Sequence, residues 1–264
     1  MDHVEVSGLR VTYERAGKGP PLVLLHGYVG DRRTWRAQLD GLSDEFTVVA
    51  WDAPGFGGSS DPPETFSLAE YANCLAGFVE ALGMSRPHVA GLSFGGGLAL
   101  EFYRRHPGIP RTLVLASAYA GWAGSLPREV VEQRLRQALE LADMSADELV
   151  RALIPTMFSE SVPAEFVDEF AASVHDFHPS GLRATARSFA EADLREVLST
   201  VRVPTLLLYG DADVRAPVSV AEAIHEQIPG SRLVLLPGIG HIVNIEAAER
   251  FNAEVRSFLG SAPQ

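Results

Sequence analysis

Val89-Ala90-Gly91-Leu92-Ser93-Phe94-Gly95-Gly96-Gly97 is the stretch on which the reading of this chain turns. An apolar strand signal over 87–92 runs into Gly-x-Ser-x-Gly, and a helical run over 98–106 follows at once. Strand, tight turn and helix in that order make a nucleophile elbow. The turn is so sharp that the serine side chain stands exposed, and small residues two positions to either side let the backbones approach. The first N–H groups of the helix then face any negative charge that develops above the Ser93 oxygen. A glycine-rich turn with an incidental serine would carry the same letters, so the rest of the chain has to decide.

On the N-terminal side, residues 9–14 alternate like an edge strand, and Leu22-Val23-Leu24-Leu25 has the all-apolar character of a buried parallel strand. That run ends in His26-Gly27-Tyr28-Val29-Gly30. A helix is expected around Trp35, Leu39 and Leu42, then a strand over 47–51 and a tight loop from Asp52 to Ser59. The capping box Ser67-Leu68-Ala69-Glu70 starts a helix that Gly83 stops. Beyond the elbow come a strand over 112–116, a strand over 205–209 closing in Gly210-Asp211-Ala212-Asp213, a helix over 218–228 and a last strand over 232–236. A final helix places Ala248, Phe251, Val255 and Phe258 on one face, and residues 260–264 read as a frayed end. Strands alternating with helices imply a mostly parallel sheet covered on both faces.

The alternation breaks between 119 and 200. Only amphipathic helices are expected there, over 127–141, 146–153, 163–174 and 181–190, punctuated by Pro155, Pro163 and Pro179. Leu135, Leu139 and Ala142 space as one face. The expected organisation is a core of 1–118 and 201–264 with a helical cap, 119–200, inserted over the strand ends.

A chain of 264 residues with 46% hydrophobic content can bury a large core, and its net charge of −12 argues against nucleic acid or anionic membrane as a partner. Cys74 is the only cysteine, which excludes an internal disulfide and a Cys-rich metal site. Met1-Asp2-His3-Val4-Glu5 has no leader character and no apolar run approaches a membrane span, so a cytoplasmic protein is expected. A homodimer is left open.

In an open parallel sheet, reactive groups collect at the carboxyl ends of the strands. Ser93, then Asp211 and Asp213, then His241 follow three such strands in that order, and His26-Gly27 follows another. A serine hydroxyl is too weakly acidic to attack unaided, so an imidazole must take its proton and later return it, while a carboxylate fixes the imidazole tautomer. Each residue alone reads as a turn or surface residue; their joint arrival in this order points to catalysis by Ser93, Asp213 and His241.

The motifs His26-Gly27-x-x-Gly30, Asp52-x-x-Gly55-x-Gly57-x-Ser59, Gly91-x-Ser93-x-Gly95-Gly96, Gly210-x-x-Asp213 and Gly240-His241 resemble those of the α/β-hydrolase superfamily across essentially the whole chain. The resemblance implies the α/β-hydrolase fold, with a mostly parallel eight-stranded sheet. It favours Asp213 over Asp211 as the acid and places an oxyanion hole at the backbone N–H groups of Tyr28 and Phe94. His26 is expected to fix its loop, and Asp52 to brace the loops around the site. The segment His241-Ile242-Val243-Asn244-Ile245-Glu246 is similar to the 3-oxoadipate enol-lactonase and small-molecule esterase branch. That similarity implies a carboxylic ester or lactone as the small-molecule substrate, with C–C bond hydrolysis of meta-cleavage type, a perhydrolase or a ligand-sensing relative as alternatives.

Position alone places Tyr28, Trp122, Val214 and Ile242 against the substrate, favouring an uncharged or partly aromatic one, with Arg183, Arg187 or Arg215 available to offset the acidic surface. His3, His88, His106 and His225 read as solvated or capping residues. His175 and His178 lack a third ligand at matching spacing, so no metal is expected. With no phosphate loop or dinucleotide fingerprint, no cofactor is expected either.

Overall fold

The computed structural model describes residues 1–160 and 162–262. Eight strands form one sheet: β1 (Asp2–Val6), β2 (Leu9–Ala16), β3 (Pro21–Leu25), β4 (Thr47–Trp51), β5 (His88–Leu92), β6 (Thr112–Ala116), β7 (Thr205–Gly210) and β8 (Arg232–Leu236), in the spatial order β1-β2-β4-β3-β5-β6-β7-β8. The first two pairings, β1 with β2 and β2 with β4, are antiparallel and the rest are parallel. The residues of β4, β5, β6 and β7 are buried throughout, which is why each, after an opening Thr or His, reads as an apolar run.

The strand expected at the edge is not the edge. β1 lies outside β2, joined to it by a two-residue turn in which Ser7 and Gly8 both take positive φ (51° and 82°). Those dihedrals match a hairpin whose twist follows that of the strands. β1 escaped notice because only Val4 and Val6 break its run of polar residues, and only Val6 is buried.

Helix α1 (Arg36–Leu42), entered through a 3₁₀ turn at Arg32–Trp35, packs on the terminal α12 (Ala248–Ser261). Helix α2 (Leu68–Ala81), opened by the Ser67–Glu70 capping box, packs on α3 (Phe94–Arg105). Gly260 and Ser261 continue α12 rather than fraying; Pro263 and Gln264 lie outside the described residues.

Between β6 and β7 the described residues form helices and no strand: α4 (Trp122–Ser125), α5 (Arg128–Leu141), α6 (Ala146–Met157), α7 (Ala164–Val174), α8 (Pro179–Glu191) and α9 (Arg195–Leu198). Pro155 does not end its helix. It sits in the last turn of α6, where one missing N–H costs little, and the buried Leu149, Leu153 and Met157 at four-residue spacing hold that turn down. Helices α10 (Val218–Gln227) and α11 (Val243–Glu246) complete the chain. No helix among the described residues is long and apolar enough to cross a membrane.

One consequence of the strand order positions the site. β4 pairs on one side of β3 and β5 on the other, so the connections leaving β3 and β5 run in opposite directions. A crevice opens between their carboxyl ends. Leu25 of β3 is level with Gly91 of β5, so Tyr28 and Ser93, two or three residues further on, flank that crevice.

Candidate active site

Ser93 stands at the point where β5 turns into α3, with φ 53° and ψ −110°. A non-glycine residue held there stores on the order of 1–3 kcal/mol of strain. The surroundings hold it in place. Its N–H donates to Ala116 O at 2.8 Å, and its carbonyl accepts from Gly96 and Gly97 N–H at 3.0 and 3.1 Å. The flanking glycines are there for space: a Cβ on Gly91 would lie 2.1 Å from Gly95 O, and one on Gly95 would lie 2.2 Å from Leu25 O. The serine is 9% exposed, on the wall of a narrow cavity of about 20 Å³ shared with His241, Tyr28, Trp122, Ile242 and Arg215.

His241, in the loop after β8, meets Asp213, in the loop after β7, through Nδ1 and Oδ2 at 2.7 Å, both side chains being buried. The other oxygen of Asp213 accepts from the backbone N–H of Arg215 at 2.7 Å and of Ala216 at 2.9 Å. Burial alone would raise the Asp213 carboxyl. The charge of His241, its hydrogen bond and the two backbone donors outweigh burial and hold it below the usual carboxylate range. Asp213 is thus an anion whose one free oxygen faces the imidazole, and Nδ1–H is the tautomer it selects. Asp211, the alternative acid, is exposed and accepts from Gly238 N–H at 2.6 Å instead. Among the described residues Ser93 Oγ makes no hydrogen bond, and Ser93 and His241 line the same cavity.

The backbone N–H groups of Tyr28 and Phe94 carry no hydrogen bond to protein among the described residues, and both flank the crevice. His26 fixes the loop that presents the first of them. Its Nδ1 lies 2.8 Å from Gly27 O, and its Nε2 accepts from Ala53 N–H at 2.9 Å, an arrangement that requires a neutral ring. Burial drives it the same way, lowering its affinity for a second proton. Asp52 accepts from Arg32 N–H at 2.9 Å, from the Arg32 guanidinium at 2.6 Å and from Gly58 N–H at 2.8 Å, tying three turns of the loop layer together.

The remaining candidates divide. Trp122 and Ile242 line the cavity. Val214 does not. It is 69% exposed, because the turn that brings the Arg215 and Ala216 N–H groups onto Asp213 points the intervening side chain outward. Of the three arginines named from position, only Arg215 lines the cavity; Arg183 pairs with Asp143 and Arg187 with Glu64. Arg134 was not anticipated. It reaches the cavity from α5, one turn before Ala138, whose carbonyl accepts from Tyr28 Oη at 3.1 Å. The signal for it was present. Val131, Arg134, Leu135, Ala138 and Ala142 share the inward side of the helix, so a cation stands beside Leu135 and Ala142 of the expected face. His88, expected to be solvated, is buried with Nδ1 2.9 Å from Thr112 Oγ1, and burial pulls it down to about 4. No group of three His, Cys, Asp or Glu residues among those described could hold a metal ion.

Comparison with known proteins adds the following. Residues 22–254 match the alpha/beta hydrolase family. A protein of Mycobacterium tuberculosis described as uncharacterized is 28% identical over 276 residues, covering 96% of this chain and 79% of that one. The structure of a thermophilic esterase from Thermogutta terrifontis, with malate bound, superposes with a TM-score of 0.92 at 29% identity over the full length of both chains. The enol-lactonase of Burkholderia xenovorans LB400 shares the fold, with a TM-score of 0.88 at 24% identity over 98% of this chain and 100% of its own.

Proposed function

This chain belongs to the alpha/beta hydrolase family, and from that premise we propose that it is a serine hydrolase of a small-molecule carboxylic ester or lactone. The observation that carries the reading is the His241–Asp213 contact at 2.7 Å, buried on the same cavity wall as a serine held at φ 53°. In this reading Ser93 Oγ attacks the carbonyl carbon and its proton passes to His241 Nε2. The oxyanion that forms is met by the Tyr28 and Phe94 N–H groups, which carry no hydrogen bond among the described residues. Collapse breaks the C–O bond, and the leaving oxygen takes the proton from His241. Water then repeats the sequence on the acyl-Ser93 ester and frees the acid. Asp213 stays ionised throughout and stabilises the imidazolium. The helical segment 119–200 serves as the cap: Trp122, Arg134, Met157 and Phe189 come from it and line the cavity. The similarity to an esterase across the full length of both chains supports ester chemistry.

The test is a hydrolysis screen of aryl esters, lactones and vinylogous 1,5-diketones with wild type and Ser93→Ala. Ester or lactone turnover is expected to fall at least ~10³-fold in the variant, with an unchanged far-UV circular dichroism spectrum. Turnover retained by folded Ser93→Ala would sink the assignment, and turnover of the diketones alone would move it to C–C bond hydrolysis.

A further inference from the structure

The cavity wall carries two arginines that form no ion pair with a carboxylate among the described residues. Arg134 arrives from α5 and Arg215 from the loop after β7, and neither an Asp nor a Glu lines the space between them. The partners they do have are neutral. Arg134 Nη1 donates to Tyr119 Oη at 2.9 Å and its Nη2 to Arg215 O at 2.8 Å, while Arg215 Nη1 donates to Thr156 Oγ1 at 3.0 Å. Each guanidinium has five N–H donors, of which the described residues take two on Arg134 and one on Arg215. Other arginines of the same helical segment are matched with carboxylates, as Arg128 is with Glu132, Arg183 with Asp143 and Arg187 with Glu64. Among the described residues Arg134 and Arg215 form no such pair.

Asp213 is the carboxylate whose field acts on Arg215, but its oxygens are committed to two backbone N–H groups and to His241. During turnover that anion balances the imidazolium, so it cannot also balance two guanidiniums. Burial pulls the Arg215 guanidinium below its ordinary value, Tyr119 opposes the shift, and the like charge of Arg134 adds to it. Two cations placed side by side in a partly buried cavity destabilise the empty protein. A bound anion removes that cost.

We propose that Arg134 and Arg215 form a carboxylate-binding subsite beside Ser93, so that the substrate is an ester or lactone bearing a free carboxylate a short apolar spacer away from the scissile carbonyl. The planar forks suit a carboxylate. Tyr28, Trp122, Met157, Phe189 and Ile242 suit the spacer. The assignment rests on the hydrolase reading and narrows it. It also reverses the expectation, drawn from the acidic surface, of an uncharged substrate.

The experiment compares mono-p-nitrophenyl glutarate with p-nitrophenyl acetate. In wild type, kcat/KM for the hemi-ester should exceed that for the neutral ester at least ~10-fold. The ratio should fall roughly 10–10²-fold in Arg134→Gln and in Arg215→Gln, carried mainly by KM, and Arg215→Lys should recover part of it. A wild-type ratio of one or less, or a ratio that neither Gln variant moves, overturns the subsite. Calorimetry on folded Ser93→Ala with glutarate, against neutral glutaramide, reads the subsite without catalysis and without altering either arginine. Glutarate should bind at least ~10-fold more tightly, and equal or absent binding overturns the proposal. The two readings separate cleanly. Turnover of the acetate with no preference for the anion refutes the subsite alone, whereas glutarate binding with no turnover of any ester refutes the hydrolase.

Discussion

Gly95→Ala tests the elbow without touching a group that reacts. A Cβ at this position would sit 2.2 Å from Leu25 O and 2.7 Å from His26 O, both backbone atoms at the end of β3. Real Cβ atoms keep to about 3.0 Å or more, so α3 and the β3 loop must part by roughly 0.8 Å. Those two elements carry Phe94 and Tyr28, so the distortion falls on the gap between the two N–H groups to which we assign the oxyanion. A displacement approaching 1 Å at a reacting centre can cost about 10²-fold, and losing one oxyanion donor costs about 10²–10³-fold. The expected loss in kcat is therefore about 10²-fold, with KM changed little and stability lowered by about 1–3 kcal/mol from overpacking. The assay is kcat and KM on p-nitrophenyl acetate at several temperatures below the melting transition, alongside thermal unfolding. Gly108→Ala is the control, since nothing lies within 4 Å of a Cβ there. A folded Gly95→Ala protein with kcat within threefold of wild type would refute the claim that this glycine sets the spacing of the site.

Asp213→Asn should lower kcat by roughly 10³–10⁴-fold, because an amide no longer selects the productive imidazole tautomer. The same carboxyl is held below its ordinary value when folded, so it contributes stability that is present above the unfolded carboxylate range and lost as pH falls through the folded one. Urea midpoints measured between about pH 2 and 7 should accordingly fall less steeply with acid in Asp213→Asn than in wild type. Phe189→Ala should cost about 3–5 kcal/mol in denaturant titrations, since the ring is 1% exposed and packs edge-on against Phe94 at 5.4 Å and Tyr119 at 6.2 Å. Glu246→Ala removes the acceptor of Gly240 N–H at 3.0 Å and of Ser159 N–H and Oγ–H, which should lower stability by about 1–3 kcal/mol and reduce kcat more than it raises KM.

How much of this was legible follows from what each residue type can be satisfied by. Strands buried on both faces carry little besides apolar residues, so β3, β4, β6 and β7 declare themselves in single runs such as Thr47-Val48-Val49-Ala50-Trp51. The elbow is equally readable, because Gly91 and Gly95 meet backbone atoms that no side chain could displace. What failed was direction within a loop. Sequence position alone put Val214 against the substrate, yet Asp213 draws the N–H groups of Arg215 and Ala216 onto itself, and Arg215 lines the cavity instead. Arg134 was missed for a related reason. The face through Leu135, Leu139 and Ala142 reads as wholly apolar, and Arg134, one residue from Leu135, shares the inward side without belonging to that spacing. β1 was missed because an edge strand needs satisfaction on one side only, and so carries half the pattern.

The carbonyl of Met157, at the end of α6, accepts from both His241 and Ile242 N–H, at 2.8 and 3.1 Å. Two residues later Ser159 joins Glu246, which also holds Gly240. The last turn of α6 and the loop carrying the imidazole are thereby one clasp. An engineer who exchanged residues 119–200 for the corresponding helices of a relative would be replacing half of the clasp that seats His241. Such chimaeras will keep their chemistry only if the donor brings a carbonyl to the place of Met157 and a hydroxyl to the place of Ser159. Variation that retunes what this protein accepts therefore disturbs the seat of His241 least where it lies away from the clasp, and most at the end of α6.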